Sequence, residues 1–326
     1  MSAGGLDTVG SPAFTDEDPA RFRAAGWWSD STLSDAVRRN AVQSPDRPAY
    51  VDHPGLSLTW REFDHAATNL AEQLAGVGIA RGDRVAVWHG DSAAIHALFV
   101  AIERCGAVVV GIGARAGTRE VVALLRGAQP KVLISDYQRR DVANQAVTGV
   151  EAQSPVSVLL LGHPAGALRL NVDVEPKALG AESGLGPDDV FLINSTSGTT
   201  GLPKCVVHTQ NRWYYFHQKA VANGLLTSDD IFLPVIPTPF GFGIWTSHTT
   251  PIYLGATAVI LDRFTTRAAC EEIAQRHVTV LCCVSTQLTM LMADAACRDY
   301  DLSTLRVVFA GGEALPYRPA AEFEQL

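Results

Sequence analysis

Lysine is scarce in this chain: only Lys131, Lys177, Lys204 and Lys219 occur among 326 residues. Charged residues of both signs make up 18%, below the usual quarter, so much of the chain must be buried. The balance is acidic, with a formal net charge of −8. That argues against a general nucleic-acid binder, which needs a basic surface to neutralise phosphates. No apolar run is long enough to span a bilayer, and the stretch Ala97–Val110 is broken by Glu103 and Arg104. The opening residues, MSAGGLDTVGSPAFTDEDP, lack the basic start and apolar core of a signal peptide. Six cysteines occur without a CxxC pair and nine histidines without HExxH. Neither a disulfide framework nor a zinc site is expected, and reduced thiols point to a cytoplasmic protein. No internal repeat and no low-complexity tract is found.

What is present is alternation. Thr59-x-x-Glu62 forms a capping box before an amphipathic helix, with Phe63, Ala66, Leu70, Leu74 and Val77 on one face. Apolar strands are expected at Arg84–Trp88, Val108–Gly111, Lys131–Ser135, Val156–Leu161, Val190–Ile193, Ile231–Ile236, Thr257–Leu261, Val278–Val284 and Leu305–Ala310, with helices between most of them. Near-continuous apolar strands alternating with helices imply an α/β fold of layered, mostly parallel sheets flanked by helices. Residues 1–26 read as a flexible leader. Residues 27–326 read as one large domain with sub-lobes at 27–161 and 190–326, joined by a surface connection over 162–189. A last helix is expected from Pro319. Strand Leu305–Ala310 reads as central in its sheet, so the domain is expected to be incomplete at its carboxyl side.

The run INSTSGTTGLPK, Ile193 to Lys204, follows a buried strand. Ligands in open α/β sheets sit outside the carboxyl ends of strands. Glycines let backbone N–H groups curl around an anion, serine and threonine hydroxyls add donors, and Lys204 adds a mobile positive charge. These are the parts of a polyphosphate cradle, although GxxxxGK[ST] does not occur and the loop is no P-loop. A flexible polar linker is the competing reading. Asp229-Asp230 reads as a solvated turn, and His208 and His217 as structural.

STSGTTGLPK resembles the phosphate loop of the adenylate-forming superfamily, which includes acyl-CoA synthetases, aryl-acid ligases and peptide-synthetase adenylation domains. The segments LTWREFDHAATNLAEQLAGVGIARGDRVAVW, AIERCGAVVVGIGARAGTREVVALLRGAQPKVLI, PTPFGFGIW and LRVVFAGGEALP are similar to further family segments in the same order, covering residues 28–326. The resemblance implies activation of a carboxylic acid by ATP to an acyl-adenylate, followed by transfer to a thiol. Coenzyme A is the expected acceptor and a small, medium-chain or aryl acid the expected substrate. By resemblance, Thr196, Ser197, Gly198, Thr199, Thr200, Gly201 and Lys204 hold the ATP phosphates, with Thr196 and Lys204 in the catalytic role. Gly311, Gly312 and Glu313 border the adenine, and Phe240, Gly241 and Trp245 face the acid. Ordinary core packing is the alternative for Phe240, and a tight turn for the two glycines.

Some positions depart from the family pattern. Ser195 replaces a bulky residue, Cys205 a glycine and Gln210 a histidine. The Tyr-Gly-x-Thr-Glu segment that helps hold Mg2+ and the lysine-bearing C-terminal domain are absent, so no metal ligand is expected within the chain. Two other readings stay open: a truncated relic that only binds nucleotide or a partner, and an acyl-AMP ligase that loads a carrier protein. In a complete enzyme of this class, Lys204→Ala is expected to weaken adenylation by about 1.5–3 kcal/mol through loss of a charge-assisted phosphate contact. Unchanged adenylation kinetics would remove Lys204 from the site.

Overall fold

The computed structural model describes residues 17–150, 155–162, 168–180, 184–196, 204–314 and 317–325. Its strands form two sheets. The first holds β3 (Arg84–Trp88), β4 (Val108–Ile112), β5 (Val132–Ser135), β6 (Ser157–Gly162), β7 (Arg169–Leu170), β8 (Val190–Thr196) and β9 (Lys204–Thr209). Its order is β7-β6-β5-β3-β4-β8-β9. The five inner strands run parallel, and β7 and β9 are antiparallel edges. The second sheet holds β1 (Pro48–His53), β2 (Ser57–Thr59), β10 (Ile231–Pro234), β11 (Thr257–Leu261), β12 (Val280–Cys283) and β13 (Val307–Ala310). Its order is β13-β12-β10-β11-β1-β2, and only β2 is antiparallel. The expected mostly parallel, layered α/β architecture is therefore the observed one.

Helix α4 (Ala93–Arg104) is buried at every residue, as a helix that is apolar nearly all round must be. It shares one core with Val85 and Val109 of the first sheet and Tyr50, Ala258 and Ile260 of the second. Helix α3 (Trp60–Gly76) begins at the expected capping box: Thr59 accepts from the Glu62 N–H, and the Glu62 carboxylate accepts from the Thr59 N–H. Its buried residues Phe63, Ala67, Leu70 and Leu74 join the same core. Helices α5 (Thr118–Ala128) and α6 (Arg140–Thr148) cover the other face of the first sheet, and α10 (Thr266–Arg276) and α11 (Ser285–Ala293) that of the second.

Charges buried at the end of α4 are all partnered. Arg104 Nη2 lies 2.5 Å from Asp64 Oδ1, and its Nε donates to Ser34 Oγ at 3.0 Å. Glu103 accepts from the Ser34 N–H at 3.0 Å, and burial pushes its carboxyl up to about 7. Pairing of this kind is what makes buried ions tolerable.

Several expectations need correction. The leader contains helix α1 (Asp18–Ala24), so regular structure begins well before residue 26, while residues 1–16 lie outside the described residues. The sheets do not follow the division into 27–161 and 190–326: β1 and β2 belong to the second sheet, and β8 and β9 close the first. Long-range parallel pairing of β1 with β11 overrides sequence proximity. Strand β13, by contrast, is an edge of its sheet among the described residues, half-buried where β12 is buried throughout, which does not contradict the expectation of a central strand in an incomplete sheet. The last helix, α12 (Tyr317–Phe323), starts two residues earlier than Pro319. Asp230 is no solvated turn: it is buried, pairs with Arg306 and accepts from Thr279 Oγ1 at 2.6 Å.

Between β10 and β11 the chain makes helix α8 (Gly241–Ile244), a π-helical turn at Trp245–Thr249 and helix α9 (Thr250–Leu254). The stretch from Thr246 to Thr250 is polar yet almost wholly buried. Its side chains cap loosened helix carbonyls, Ser247 Oγ donating to Gly243 O at 2.7 Å and Thr249 Oγ1 to Ile244 O at 2.9 Å. Gly243 makes the tight entry possible, since a Cβ there would fall 1.9 Å from Pro237 O. Gly243→Ala is expected to cost about 3 kcal/mol by forcing that backbone apart, read as a lower urea midpoint. An unchanged midpoint would contradict the contact.

Candidate functional site

Strands β8 and β9 form an antiparallel hairpin in which Thr196 stands opposite Lys204. The phosphate-loop candidates Ser197, Gly198, Thr199, Thr200 and Gly201 lie outside the described residues. So do the side chains of Thr196 and Lys204, and only their paired backbone is described. The hairpin leaves the carboxyl end of β8, beside the end of β4, which is where the strand-end rule expects a ligand loop.

Below that end, Asn194 is buried and its Oδ1 lies 2.9 Å from His208 Nε2 on β9. Burial pushes His208 down to about 4, so the ring is neutral at physiological pH and Nε2 carries the donated proton. The His208 ring packs against Trp213, centroids 5.1 Å apart, at the start of helix α7 (Gln210–Gly224). Gln210, which stands in place of a histidine, is fully buried and accepts from the Leu33 N–H at 2.7 Å, a structural tie. Burial also raises the Cys205 thiol, which suits packing rather than nucleophilic chemistry.

The segment Pro237–Trp245 crosses between the two sheets. A Cβ on Gly111 would come within 2.9 Å of Pro239 Cβ, and one on Gly113 within 3.0 Å of Phe240 Cζ. Both glycines lie on one face of the β4 strand line, two residues apart, and leave room for the crossing chain. Next in order, Gly241 faces Trp213: its Cβ would sit 3.4 Å from Trp213 Cη2 and 4.0 Å from Asn194 Nδ2. Phe242 faces the other sheet, 3.4 Å from where a Gly311 Cβ would be. Trp245 stacks on Phe242 at 5.6 Å and meets Phe309 of β13 edge-on at 5.3 Å.

The acid-side candidates Gly241 and Trp245 are thus brought together with Gly311, and with the Asn194 end of the hairpin. Phe240 points elsewhere, its ring on Gly113 and lining a cleft. Gly312 takes a left-handed φ of 87°, as a turn after the strand requires. Glu313 is exposed and accepts from Thr286 N at 2.9 Å and Thr286 Oγ1 at 2.8 Å, capping the start of α11. Hydrogen bonds from Ser285 and Thr286 hold its carboxyl below the usual range.

The cleft has a volume of ≈ 890 Å³ and lies at the carboxyl ends of β1, β3, β4, β10 and β11. Its wall carries Asp52, Asp91 and Asp262, with Arg115 and Arg263 exposed at the rim. Asp52 Oδ1 accepts from Ala93 N at 2.6 Å, at the start of α4. Burial pushes Asp52 up to about 7 against that hydrogen bond, and Asp262 adds to the rise. Asp91 accepts from Thr238 N at 3.0 Å and is pushed up to about 6 by burial. Burial lowers His89. These residues were missed in the sequence, although Asp52 and Asp91 each stand at or just after a strand end. Among the described residues no group of three or more His, Cys, Asp or Glu could hold a metal ion. No described helix is long and apolar enough to cross a membrane.

The family described as AMP-binding enzyme matches residues 37–326. The medium-chain fatty-acid–CoA ligase of Escherichia coli K12 is 29% identical over 96% of this chain and 56% of its own length. The salicyl-AMP ligase / salicyl-S-ArCP synthetase of Mycobacterium tuberculosis is 30% identical, again over 96% of this chain and 56% of that protein. The chain therefore spans about half the length of the curated relatives it matches. Among solved structures, apo MbtA of Mycobacterium smegmatis aligns with a TM-score of 0.81 and 26% identity, covering 97% of this chain and 58% of that one. The N-terminal domain of FACL13 from Mycobacterium tuberculosis aligns with a TM-score of 0.76 and 25% identity, covering 90% of this chain and 73% of that one.

The Asp52 carboxyl gives the cleft a pH signature. Its raised value means the native state holds a proton that the unfolded chain has released. The stabilisation is present below the unfolded value and is lost as pH rises towards about 7. Asp52→Asn is expected to flatten the fall in unfolding midpoint from about pH 4 to about pH 7, measured by urea unfolding across that range. A variant with the wild-type slope would show that Asp52 does not titrate there.

Proposed function

The chain belongs to the AMP-binding enzyme family, and on that premise we propose that it activates a carboxylic acid with ATP and passes the acyl group to a thiol. Because the chain spans about half of its curated relatives, this concerns the whole activity to which it contributes. In the first step a carboxylate oxygen attacks the α-phosphorus of ATP, the bond to the β-phosphate oxygen breaks, and pyrophosphate leaves. In the second a thiolate attacks the acyl carbon and AMP leaves.

One observation carries the reading. Gly241 faces Trp213 and Asn194 at the base of the β8–β9 hairpin on one side, and Phe242 faces Gly311 on the other. A nucleotide gripped by the hairpin loop and bordered by Gly311 and Gly312 would meet its acid at this joint. Thr196, Ser197, Gly198, Thr199, Thr200, Gly201 and Lys204 would hold the β- and γ-phosphates through N–H, hydroxyl and ammonium donors. Trp245 and Gly241 would border the acyl group. Aromatic walls at Trp213, Phe242 and Trp245 suit a small, medium-chain or aryl acid. Magnesium bound with the ATP would find no cluster of three His, Cys, Asp or Glu among the described residues.

Coenzyme A is the proposed acceptor. Phe240 lines the cleft while the residues directly after it face the acid side, so the cleft is a second approach to one junction. The exposed guanidinium groups of Arg115 and Arg263 at its rim suit a phosphorylated thiol carrier. A carrier protein bearing a phosphopantetheine arm is the competing acceptor.

ATP–pyrophosphate exchange with a panel of short, medium-chain and aromatic acids tests the first step. Exchange driven by at least one acid is expected. Nucleotide binding with no exchange for any acid would overturn acid activation and leave a nucleotide-binding protein.

A further inference from the structure

The stretch Pro237-Thr238-Pro239 places a single backbone donor between two prolines, neither of which has an N–H. A side-chain acceptor that grips a main-chain N–H between Ile236 and Phe240 must therefore use Thr238. That residue is 1% exposed, and its N–H is taken by Asp91 Oδ1 at 3.0 Å, from the loop between β3 and α4. The Thr238 hydroxyl also bonds the Asp91 carboxyl and lies 3.3 Å from Ser247 Oγ. Phe240 follows two residues later, with its N–H 3.3 Å from Pro237 O and its ring on Gly113.

The Asp91 loop is itself held from the second sheet. Asp52 of β1 grips the Ala93 N–H, and the carboxylate of Asp262, after β11, would stand 3.0 Å from a Cβ on Gly90. A loop of the first sheet is thus wedged among the ends of β1, β10 and β11. From there it reaches out to the Thr238 N–H, the one main-chain donor between Ile236 and Phe240.

We propose that Asp91 is a positioning residue for the reaction. Through Thr238 it sets where Phe240 lies, and with it the wall between the cleft and the acid side. This rests on the acid-activation reading for its catalytic meaning, although the latch itself does not. Asp91 contacts no reacting atom, and its effect passes through the backbone of Thr238.

Two measurements test it on the purified protein, comparing wild type with Asp91→Ala and Asp91→Asn. With Phe240 carrying a para-fluorine label, the 19F resonance is expected to shift and broaden in Asp91→Ala. It is expected to return towards wild type in Asp91→Asn, whose amide oxygen still accepts from Thr238. This readout needs no ligand, so it decides the latch even if the protein activates no acid. Calorimetric binding of AMP and of a non-hydrolysable acyl-sulfamoyl adenosine gives the second. The acyl compound's advantage over AMP is expected to fall about tenfold in Asp91→Ala, with AMP affinity kept, and to recover in Asp91→Asn. An unchanged 19F resonance in Asp91→Ala would overturn the proposal. So would equal loss of both affinities with a lowered melting temperature that Asp91→Asn does not rescue, because that marks a fold-wide role. A wild-type protein that binds the acyl compound no better than AMP would count against acid activation, while the 19F result would still decide the latch.

Discussion

Pro239 and Phe240 lie directly over Gly111 and Gly113, and the rest of the site depends on that close approach. A Cβ on Gly111 would force Pro239 to shift, and one on Gly113 would make the tip of the Phe240 ring give way. The segment starts from β10 in the second sheet, so its seat on β4 is also a joint between the sheets. Gly243 repeats the device one turn later, against Pro237 O. Bare backbone at these points lets one short stretch face the cleft with Phe240, the hairpin with Gly241 and the edge of the second sheet with Phe242.

Electrostatics at the joint act against the packing. Asp52, Asp91 and Asp262 come from different strand ends and converge on the loop Gly90–Ala93. Backbone N–H groups at Ala93 and Thr238 favour the ionised forms of Asp52 and Asp91, yet burial still raises both. Desolvation wins because each of these carboxylates has only one or two local donors and no cation in contact. Arg104 with Asp64 and Arg306 with Asp230 show the opposite solution, a carboxylate in direct contact with a guanidinium.

The hairpin side of the joint is built differently. Asn194, His208 and Trp213 form a neutral, buried stack under the hairpin's loop, with His208 kept unprotonated by burial. The scarcity of lysine makes Lys204 stand out more, since it is one of only four in the chain.

Elements whose signal is local were legible in the residues. The capping box at Thr59 and Glu62 and the strands Arg84–Trp88 and Thr257–Leu261 were read with their observed bounds, because capping and periodicity act over a single turn or strand. The hydroxyl-rich run was read as following a buried strand, and β8 and β9 do flank it, while its own residues 197–203 lie outside the described ones. The short hairpin β1–β2 and the helix α1 were not read, their apolar patterns being too brief to separate from a loop. Which strands share a sheet was settled by tertiary structure: β1 pairs with β11 across some two hundred residues, an ordering that no local pattern encodes. The same holds for Asp91 and Thr238, and for Gly113 and Phe240. Their meanings arise from backbones that approach only after both sheets have formed, since a missing Cβ or a lone N–H between prolines has no visible purpose until something lies against it.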